Sequence, residues 1–378
     1  MSAETTRTNA TSRKRSKEYD RHWDRWLRYL SNIGIHNDPF LDNFSRRQTT
    51  ILISTFAEAT RCREFSDKGA NPLVTKTVRS AVDCVSQTFR EHDRSDPRLD
   101  RDNFTSQFLQ KLYQGYKEED GPEKHQKAIP LSVIGQMYKN AKTELDRAIA
   151  DLCTAAIFFC MRSCEYLKVP DQLDRRTKLL TIKNIRFFDN DKQLVEHNSP
   201  ILHLACIVVV TFEDQKNRTK FEDVTHYRSS HELLCPVIAW SKIIKRVRSY
   251  KGSNGDTPVC TFIIQGHKQS KTVQISSDNV IKALRTTVRT MTAWNLGFTA
   301  EEIGTHSIRS GGAMMMCLAG VREYIIMIQG RWKSMSYMKY IRKQIAQFSC
   351  ELTSRMIQHD HFNHIPSFRD IGHEGGAN

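Results

Sequence analysis

Residues 305–343 read THSIRSGGAMMMCLAGVREYIIMIQGRWKSMSYMKYIRK, and this stretch is the most informative part of the sequence. It contains seven lysines and arginines and one acidic residue, Glu323, which gives a local net charge of +6. The apolar spacing predicts helices over about 306–319 and 321–329, and a last helix over roughly 336–357. A basic segment of this kind is suited to an anionic partner.

His306 and Arg309 are three residues apart, so they share one face of the first of these helices. Thr305 is placed to cap the N-terminus of that helix, where backbone amides and the helix dipole favour an anion. The pair is therefore suited to hold a phosphate group. The alternative is a surface helix whose polar residues are satisfied locally.

The second half of the stretch makes the pattern more specific. Gly330-Arg331-Trp332 ends an apolar helix, and Tyr340 lies eight residues after Trp332. This order resembles the C-terminal catalytic block of tyrosine recombinases, the phage-integrase family, which carries His-x-x-Arg, then Gly followed by His or Trp, then a nucleophilic Tyr. The wording Gly-Arg-Trp and Tyr-Ile-Arg is most similar to recombinases of eukaryotic mobile elements of the Crypton and DIRS type.

The resemblance extends upstream to two further basic residues. The family's first arginine ends an apolar helix and precedes an acid by three residues, as Arg162 and Glu165 do here. The family also carries a lysine in a β-hairpin, and the basic run 215–220 falls in a predicted turn. Lys216 is the expected residue and Lys220 is the alternative.

The resemblance implies a role for each residue in phosphodiester cleavage. Arginines suit the transition state because they stay protonated and donate in a planar fork. A phenol has a reference pKa of about 10, so a tyrosine nucleophile needs a base. The expected catalytic residues are the phosphate clamps Arg162 and Arg309, the base His306, the general acid Lys216, the indole donor Trp332 and the nucleophile Tyr340.

Two assignments stay open in the sequence. Many members have Gly-His where this chain has Gly330-Arg331, so Arg331 competes with Trp332 for that position. Tyr337 is a second possible nucleophile, although it lacks the Tyr-Ile-Arg context of Tyr340.

Length and composition limit the class of protein. The chain has 378 residues, and 57 lysines and arginines against 42 acids give a net charge of +15. This excess favours nucleic acid or an acidic membrane surface as partner. The apolar runs 152–161 and 204–210 are shorter than the roughly 18 residues of a membrane span. The first 15 residues have no apolar core, so no secretory signal is expected.

The ten cysteines are scattered and form no CxxC pair, so reduced thiols in an intracellular protein are expected rather than disulfides or zinc. His359, His361 and His364 have the types needed to bind a metal but are expected to lie in a tail. Neither metal nor cofactor is predicted. If the host is eukaryotic, the expected location is the nucleus.

Composition divides the chain into segments. We predict a disordered basic tail over 1–18, a helical core-binding domain over 19–116, a linker over 117–128, a catalytic domain over 129–358 and a flexible tail over 359–378. The fold class is thus multidomain α and α+β. A helical, SAM-like domain precedes a mainly helical domain with a small antiparallel sheet, the integrase-like architecture of DNA breaking and rejoining enzymes.

Several elements are expected from periodicity. Apolar stripes at 78–89 and at Phe104, Phe108 and Leu112 predict helices in the first domain. In the second domain, 144–167 is expected as one helix, and 179–182 and 204–212 as strands.

The sequence as a whole predicts a site-specific recombinase that cuts and rejoins duplex DNA through a 3′-phosphotyrosine link. Family resemblance implies a homotetramer on two DNA sites, with the segment after Tyr340 docking on a neighbour. No membrane and no small-molecule substrate are expected. The alternatives are a type IB topoisomerase and a DNA-binding protein that has lost cleavage.

Overall fold

A computed structural model gives the three-dimensional structure, and its described residues form two compact units. The described residues are 13–65, 71–122, 126–170, 172, 175, 177–265, 270–291 and 296–341. The first unit takes in those within 1–125, 169–178 and 214–216, and the second takes in those within 126–168, 179–213 and 217–378. Most of the predicted last helix, the C-terminal tail and its three histidines lie outside the described residues.

The first unit is a helical bundle. Its helices are α1 (Arg13–Asn32), α2 (Arg46–Arg61), α3 (Thr75–Glu91) and α4 (Gln107–Glu119). The core is aromatic: the Trp26 ring meets Phe56 edge-on at 5.2 Å and Phe89 at 6.2 Å between centroids. Such pairs add to the burial of their apolar area. The apolar stripe predicted over 78–89 is confirmed, because its members are buried on α3.

Two expectations for this unit are wrong. Residues 13–18, expected to be disordered, belong to α1, where Arg15 and Glu18 pair at 2.8 Å across one helical turn. Phe104 and Phe108 are 70% and 58% exposed, and Phe104 precedes α4. The buried face of α4 is instead formed by Leu109, Tyr113 and Tyr116. Helical spacing cannot tell which of two apolar faces finds a partner.

The second unit combines helices with two small sheets. Its helices are α5 (Leu131–Asn140), α6 (Glu144–Phe158), α7 (Ser163–Tyr166), α8 (Pro236–Arg248), α9 (Ser277–Thr290), α10 (Thr305–Leu318) and α11 (Glu323–Gly330). Its strands are β1 (Ile185–Phe188), β2 (Leu194–Val195), β3 (Ile207–Asp214), β4 (Lys220–Tyr227), β5 (Thr261–Ile264) and β6 (Lys271–Gln274). Four 3₁₀ helices complete the named elements, at Ile182–Asn184, Leu202–Leu204, Ala300–Glu302 and Met335–Tyr340.

The larger sheet has the strand order β2-β1-β3-β4. β1 pairs antiparallel with β3, with Ile185 opposite Val210 and Phe188 opposite Ile207. β5 and β6 form a separate antiparallel hairpin. The strand predicted within 204–212 is therefore confirmed as β3. The strand predicted over 179–182 is wrong, since this run makes a single bridge from Thr181 to Pro258 before a 3₁₀ turn.

The expected helix over 144–167 is divided in two. α6 ends at Phe158, and Cys160 takes a left-handed φ of 45° that turns the chain before α7 begins at Ser163. α6 is apolar nearly all round and lies in the main core, as expected for a central helix. The multidomain α and α+β architecture is confirmed: a helical unit precedes a mainly helical unit with a small antiparallel sheet.

Two classes of structural feature are not found in the part of the chain that the structure describes. None of its helices has both the length and the apolar character needed to cross a bilayer. No disulfide joins its cysteines.

Candidate functional site: an arginine cluster

Arg162 lies at the turn between α6 and α7. As the residue before Ser163 it caps α7, and its backbone N–H donates to Glu165 Oε2 at 2.8 Å. Its Nη1 also donates to Glu165 Oε1 at 2.8 Å. The same carboxylate therefore holds both the backbone and the guanidinium of Arg162. The side chain of Arg162 is 18% exposed and that of Glu165 is fully buried.

Arg309 connects three separate segments of the second unit. It projects from α10 and is 1% exposed. Its Nη1 donates to the Cys160 carbonyl, and its Nη2 donates to the Gly330 carbonyl at 2.7 Å. The Trp332 ring lies against the guanidinium, with 4.2 Å from Cζ to the ring centroid. Because Cys160 is two residues before Arg162, the two arginines converge on the end of α6.

Arg331 is directed into the protein. Its backbone is left-handed, with φ 57° and ψ 46°, and its side chain is buried. Nη2 pairs with Glu165 Oε2 at 2.7 Å, Nη1 donates to the Phe159 carbonyl at 2.9 Å, and Cζ lies 3.6 Å from the centroid of the Phe212 ring. A carboxylate thus engages Arg331, while Trp332 stacks on Arg309. This geometry favours Trp332 for the position that the sequence left open, and the assignment stays a prediction.

Glu165 is the electrostatic centre of the cluster. Burial raises the pKa of its carboxyl, but the guanidiniums of Arg331, Arg309 and Arg162 outweigh burial and hold the pKa below its usual value. Burial, and then the positive charge of Arg162, lower the pKa of Arg309 to about 10, so it stays cationic at neutral pH. Three guanidiniums and one carboxylate leave an excess of two positive charges, which suits an anionic ligand.

Two glycines make this approach of segments possible. A Cβ on Gly330 would overlap the Trp332 ring, so the tryptophan can fold back only over a glycine. A Cβ on Gly312 would overlap the Ile157 carbonyl oxygen, so α10 can pack against the end of α6 only through a bare backbone. The spacing Gly-x-Trp is therefore a packing requirement as well as a sequence pattern.

His306 lies one turn before Arg309 on α10 and is exposed. The expectation that Thr305 caps this helix is wrong. Gly304 is the N-cap residue and Thr305 is the first helical residue. The free amides at this end have other acceptors: Gln126 Oε1 accepts from His306 N–H at 3.1 Å, and the Ser307 hydroxyl accepts from Gly304 N–H at 3.0 Å.

The predicted β-hairpin is formed by β3 and β4. Lys216 lies in its turn and Lys220 is the first residue of β4, and both are exposed. In this turn, Asn217 Nδ2 donates to the Arg331 carbonyl at 3.3 Å. The hairpin is therefore tied to the segment that carries Trp332. The choice between the two lysines stays a prediction.

The two tyrosines differ in what the structure describes. Tyr340 ends the 3₁₀ helix Met335–Tyr340, and its side chain lies outside the described part of the chain. Tyr337 is 1% exposed, and its ring packs 6.0 Å from that of Trp332 between centroids. Burial, followed by the charge of Glu323, raises the pKa of Tyr337, which makes it a poorer nucleophile. This supports Tyr340 over Tyr337.

Sequence reasoning noticed Glu165 but gave no role to it or to the buried side of Arg331. The available signal was the spacing Arg-x-x-Glu, which places the two side chains one helical turn apart. No local pattern indicated that residue 331, at a distance of 166 positions, would supply the second partner of this carboxylate.

Replacing Arg331 with methionine should lower the free energy of unfolding by about 3–5 kcal/mol, because removing one member of a buried ion pair leaves the other charge incompletely compensated. Urea unfolding measures this quantity. Arg322→Met is the matched control, since Arg322 is exposed and should change stability little. A loss below about 1 kcal/mol for Arg331→Met would show that the pair does not stabilise the cluster.

No protein-family model matches the chain, and no curated protein matches it. Three solved structures are similar over most of their length. The Tn1549 transposon integrase in complex with transposon right end DNA has a TM-score of 0.47 and 10% identity, covering 89% of this chain and 92% of that one. The XerH site-specific recombinase bound to difH substrate has a TM-score of 0.45, 13% identity and coverage of 86% and 76%. The XerA recombinase has a TM-score of 0.36, 11% identity and coverage of 95% and 96%. Likeness at this level does not identify residues or activity.

Proposed function

We propose that this chain is a site-specific DNA recombinase that cuts and rejoins duplex DNA through a 3′-phosphotyrosine intermediate. The observation that carries the proposal is the convergence of Arg162 and Arg309, from separate helices, beside Trp332. Arg162 and Arg309 clamp the scissile phosphate and stabilise the charge that develops on its non-bridging oxygens. The buried carboxylate of Glu165 aims Arg162 and does not itself touch the phosphate.

The cleavage step is a displacement at phosphorus. The Tyr340 oxygen attacks and loses its proton to His306, the P–O bond to the 5′ oxygen breaks, and Lys216 protonates that oxygen. The products are a 3′-phosphotyrosine and a 5′ hydroxyl. Because the new ester retains the bond energy, a 5′ hydroxyl of another strand reverses the step without ATP. The residues in this scheme supply every proton and charge it needs, so we propose neither metal nor cofactor.

The wider proposal covers assembly and origin. The chain acts as a homotetramer on two DNA sites, the segment after Tyr340 docks on a neighbouring copy, and the helical unit grips the duplex. The resemblance to Crypton and DIRS recombinases supports a mobile-element origin, and a nuclear location in a eukaryotic host. The net charge of +15 supports DNA as the partner.

Two alternatives make different predictions. A type IB topoisomerase would use the same chemistry but relax supercoiled DNA as a monomer. A recombinase-derived binding protein would bind duplex DNA tightly and form no adduct. The ionised, cationic state of the arginine cluster favours an intact catalytic site over the silent form.

A nicked suicide substrate tests the proposal. The short strand carrying the 5′ hydroxyl diffuses away after cleavage, so a covalent complex accumulates and survives denaturing electrophoresis. We expect an adduct without added metal or ATP. Absence of any adduct, with DNA binding retained, would favour the silent binding protein.

Lys216→Ala should be rescued by a 5′-phosphorothiolate substrate. A 5′ oxygen is a basic leaving group that needs a proton, whereas sulfur departs unprotonated, so only loss of the general acid is bypassed. Cleavage rates on oxygen and sulfur substrates measure this rescue. Lys220→Ala is the matched control, being exposed in the same hairpin. Rescue of Lys220→Ala alone would move the role to Lys220, and rescue of neither would assign the proton to another donor.

A further inference from the structure

A second basic site lies in the second unit, away from the arginine cluster. A cavity of about 580 Å³ opens between α5, the first half of α6 and α8. This volume lies within the roughly 300–1,000 Å³ of ordinary ligand pockets. We propose that this cavity binds a ligand carrying at least two phosphate groups. The proposal does not depend on the recombinase assignment.

Positive charge dominates the cavity. Its two acids are already paired: Glu144 Oε1 with Arg147 Nη1 at 2.6 Å, and Asp151 Oδ2 with Arg246 Nη1 at 3.1 Å. The lining also contains three lysines for which the described residues provide no ion pair, namely Lys139, Lys242 and Lys245. Three ammonium groups therefore face one concave surface without counter-charge.

Arg246 supplies the more specific signal. Only its Nη1 is engaged by Asp151; Nε and Nη2 are buried and have no hydrogen-bond partner in the described part of the chain. Buried donors are normally satisfied, because leaving one unpaired costs free energy. The fork of a guanidinium matches two oxygens of one phosphate. The unpartnered donors and the unpaired lysines therefore require the same kind of acceptor.

The position of the cavity separates it from the cleavage site. Its lining on α6 reaches Asp151, and α6 continues for seven residues to Phe158 before the arginine cluster. At a rise of 1.5 Å per residue, this is about 10 Å of helix. Lys242 and Lys245 also border an adjacent cavity of about 470 Å³ that includes Arg248. The shared lysines thus form a ridge between two basic hollows, which suits successive phosphates rather than a single one.

Calorimetric titration of the full chain with inorganic tripolyphosphate tests the site at physiological salt. We expect binding by the natural chain and an affinity at least about tenfold weaker for the double variant Lys242→Gln, Lys245→Gln, because two charge-assisted contacts are lost. The charge-matched control is Lys192→Gln, Lys282→Gln, whose lysines are exposed outside the cavity. Equal losses in both double variants would overturn the proposal, since net charge alone would then explain binding.

Lysine acetylation distinguishes the sources of phosphate. Protection of Lys242 and Lys245 by tripolyphosphate but not by a short DNA duplex would identify a free polyphosphate or nucleotide. Protection by the duplex alone would identify backbone phosphates of a nucleic-acid strand. Either result supports the site, and absence of both binding and protection would overturn it. Neither measurement involves cleavage, so its outcome is separate from that of the suicide-substrate experiment.

Discussion

Tyr340→Phe should abolish covalent attachment to DNA while leaving DNA affinity nearly unchanged. The substitution removes only the phenolic oxygen, which is the atom proposed to attack phosphorus, and it keeps the ring. No other group in the scheme forms a bond to the phosphate, so the adduct on a suicide substrate should fall below detection. Binding should persist, because it comes from arginines and lysines that contact the phosphate backbone.

Tyr337→Phe is the matched control. The Tyr337 ring packs beside Trp332, and phenylalanine retains that packing, so this variant should still form the adduct. Peptide mapping of the natural adduct gives an independent readout. An adduct mapped to Tyr337, or one that persists in Tyr340→Phe, would show that the nucleophile is wrongly assigned.

The fold was predictable where local pattern and burial agree. The apolar spacing on α3 places the residues that are buried, and the boundaries of α8, α9 and α10 lie within three residues of those expected. Errors occurred where a distant partner decides the outcome. The break after Phe158 requires a left-handed Cys160, and no local composition marks that turn. The short strands β1 and β2 were missed because four and two residues are too few to show a period.

The candidate site was predictable in its residue types but not in its network. Arg162, Arg309 and Trp332 were each named from motif spacing, and the structure brings them to one end of α6. The inward turn of Arg331 onto Glu165 depends on packing between segments far apart in sequence. Such a pair cannot be inferred from one chain, because an arginine next to a motif residue is equally consistent with facing the ligand.

Arg162→Ala and Arg309→Ala should each lower the single-turnover cleavage rate by at least about 100-fold, because each removes a preorganised donor to the transition state. The two variants differ in their structural cost. Arg309 is buried and satisfies the Cys160 and Gly330 carbonyls, so its loss should also destabilise the fold. Arg162 is partly exposed, and its removal should leave Glu165 still paired with Arg331.

Arg162→Ala is therefore the cleaner test of transition-state stabilisation. Rates should be measured with DNA at saturating concentration, so that weaker binding does not contribute, and normalised to the folded fraction from urea unfolding. Arg289→Ala is the control, because Arg289 is exposed and pairs with Glu301 at 2.8 Å on the surface. A folded Arg162→Ala variant that cleaves within about threefold of the natural chain would remove Arg162 from the site, since loss of a direct donor costs far more.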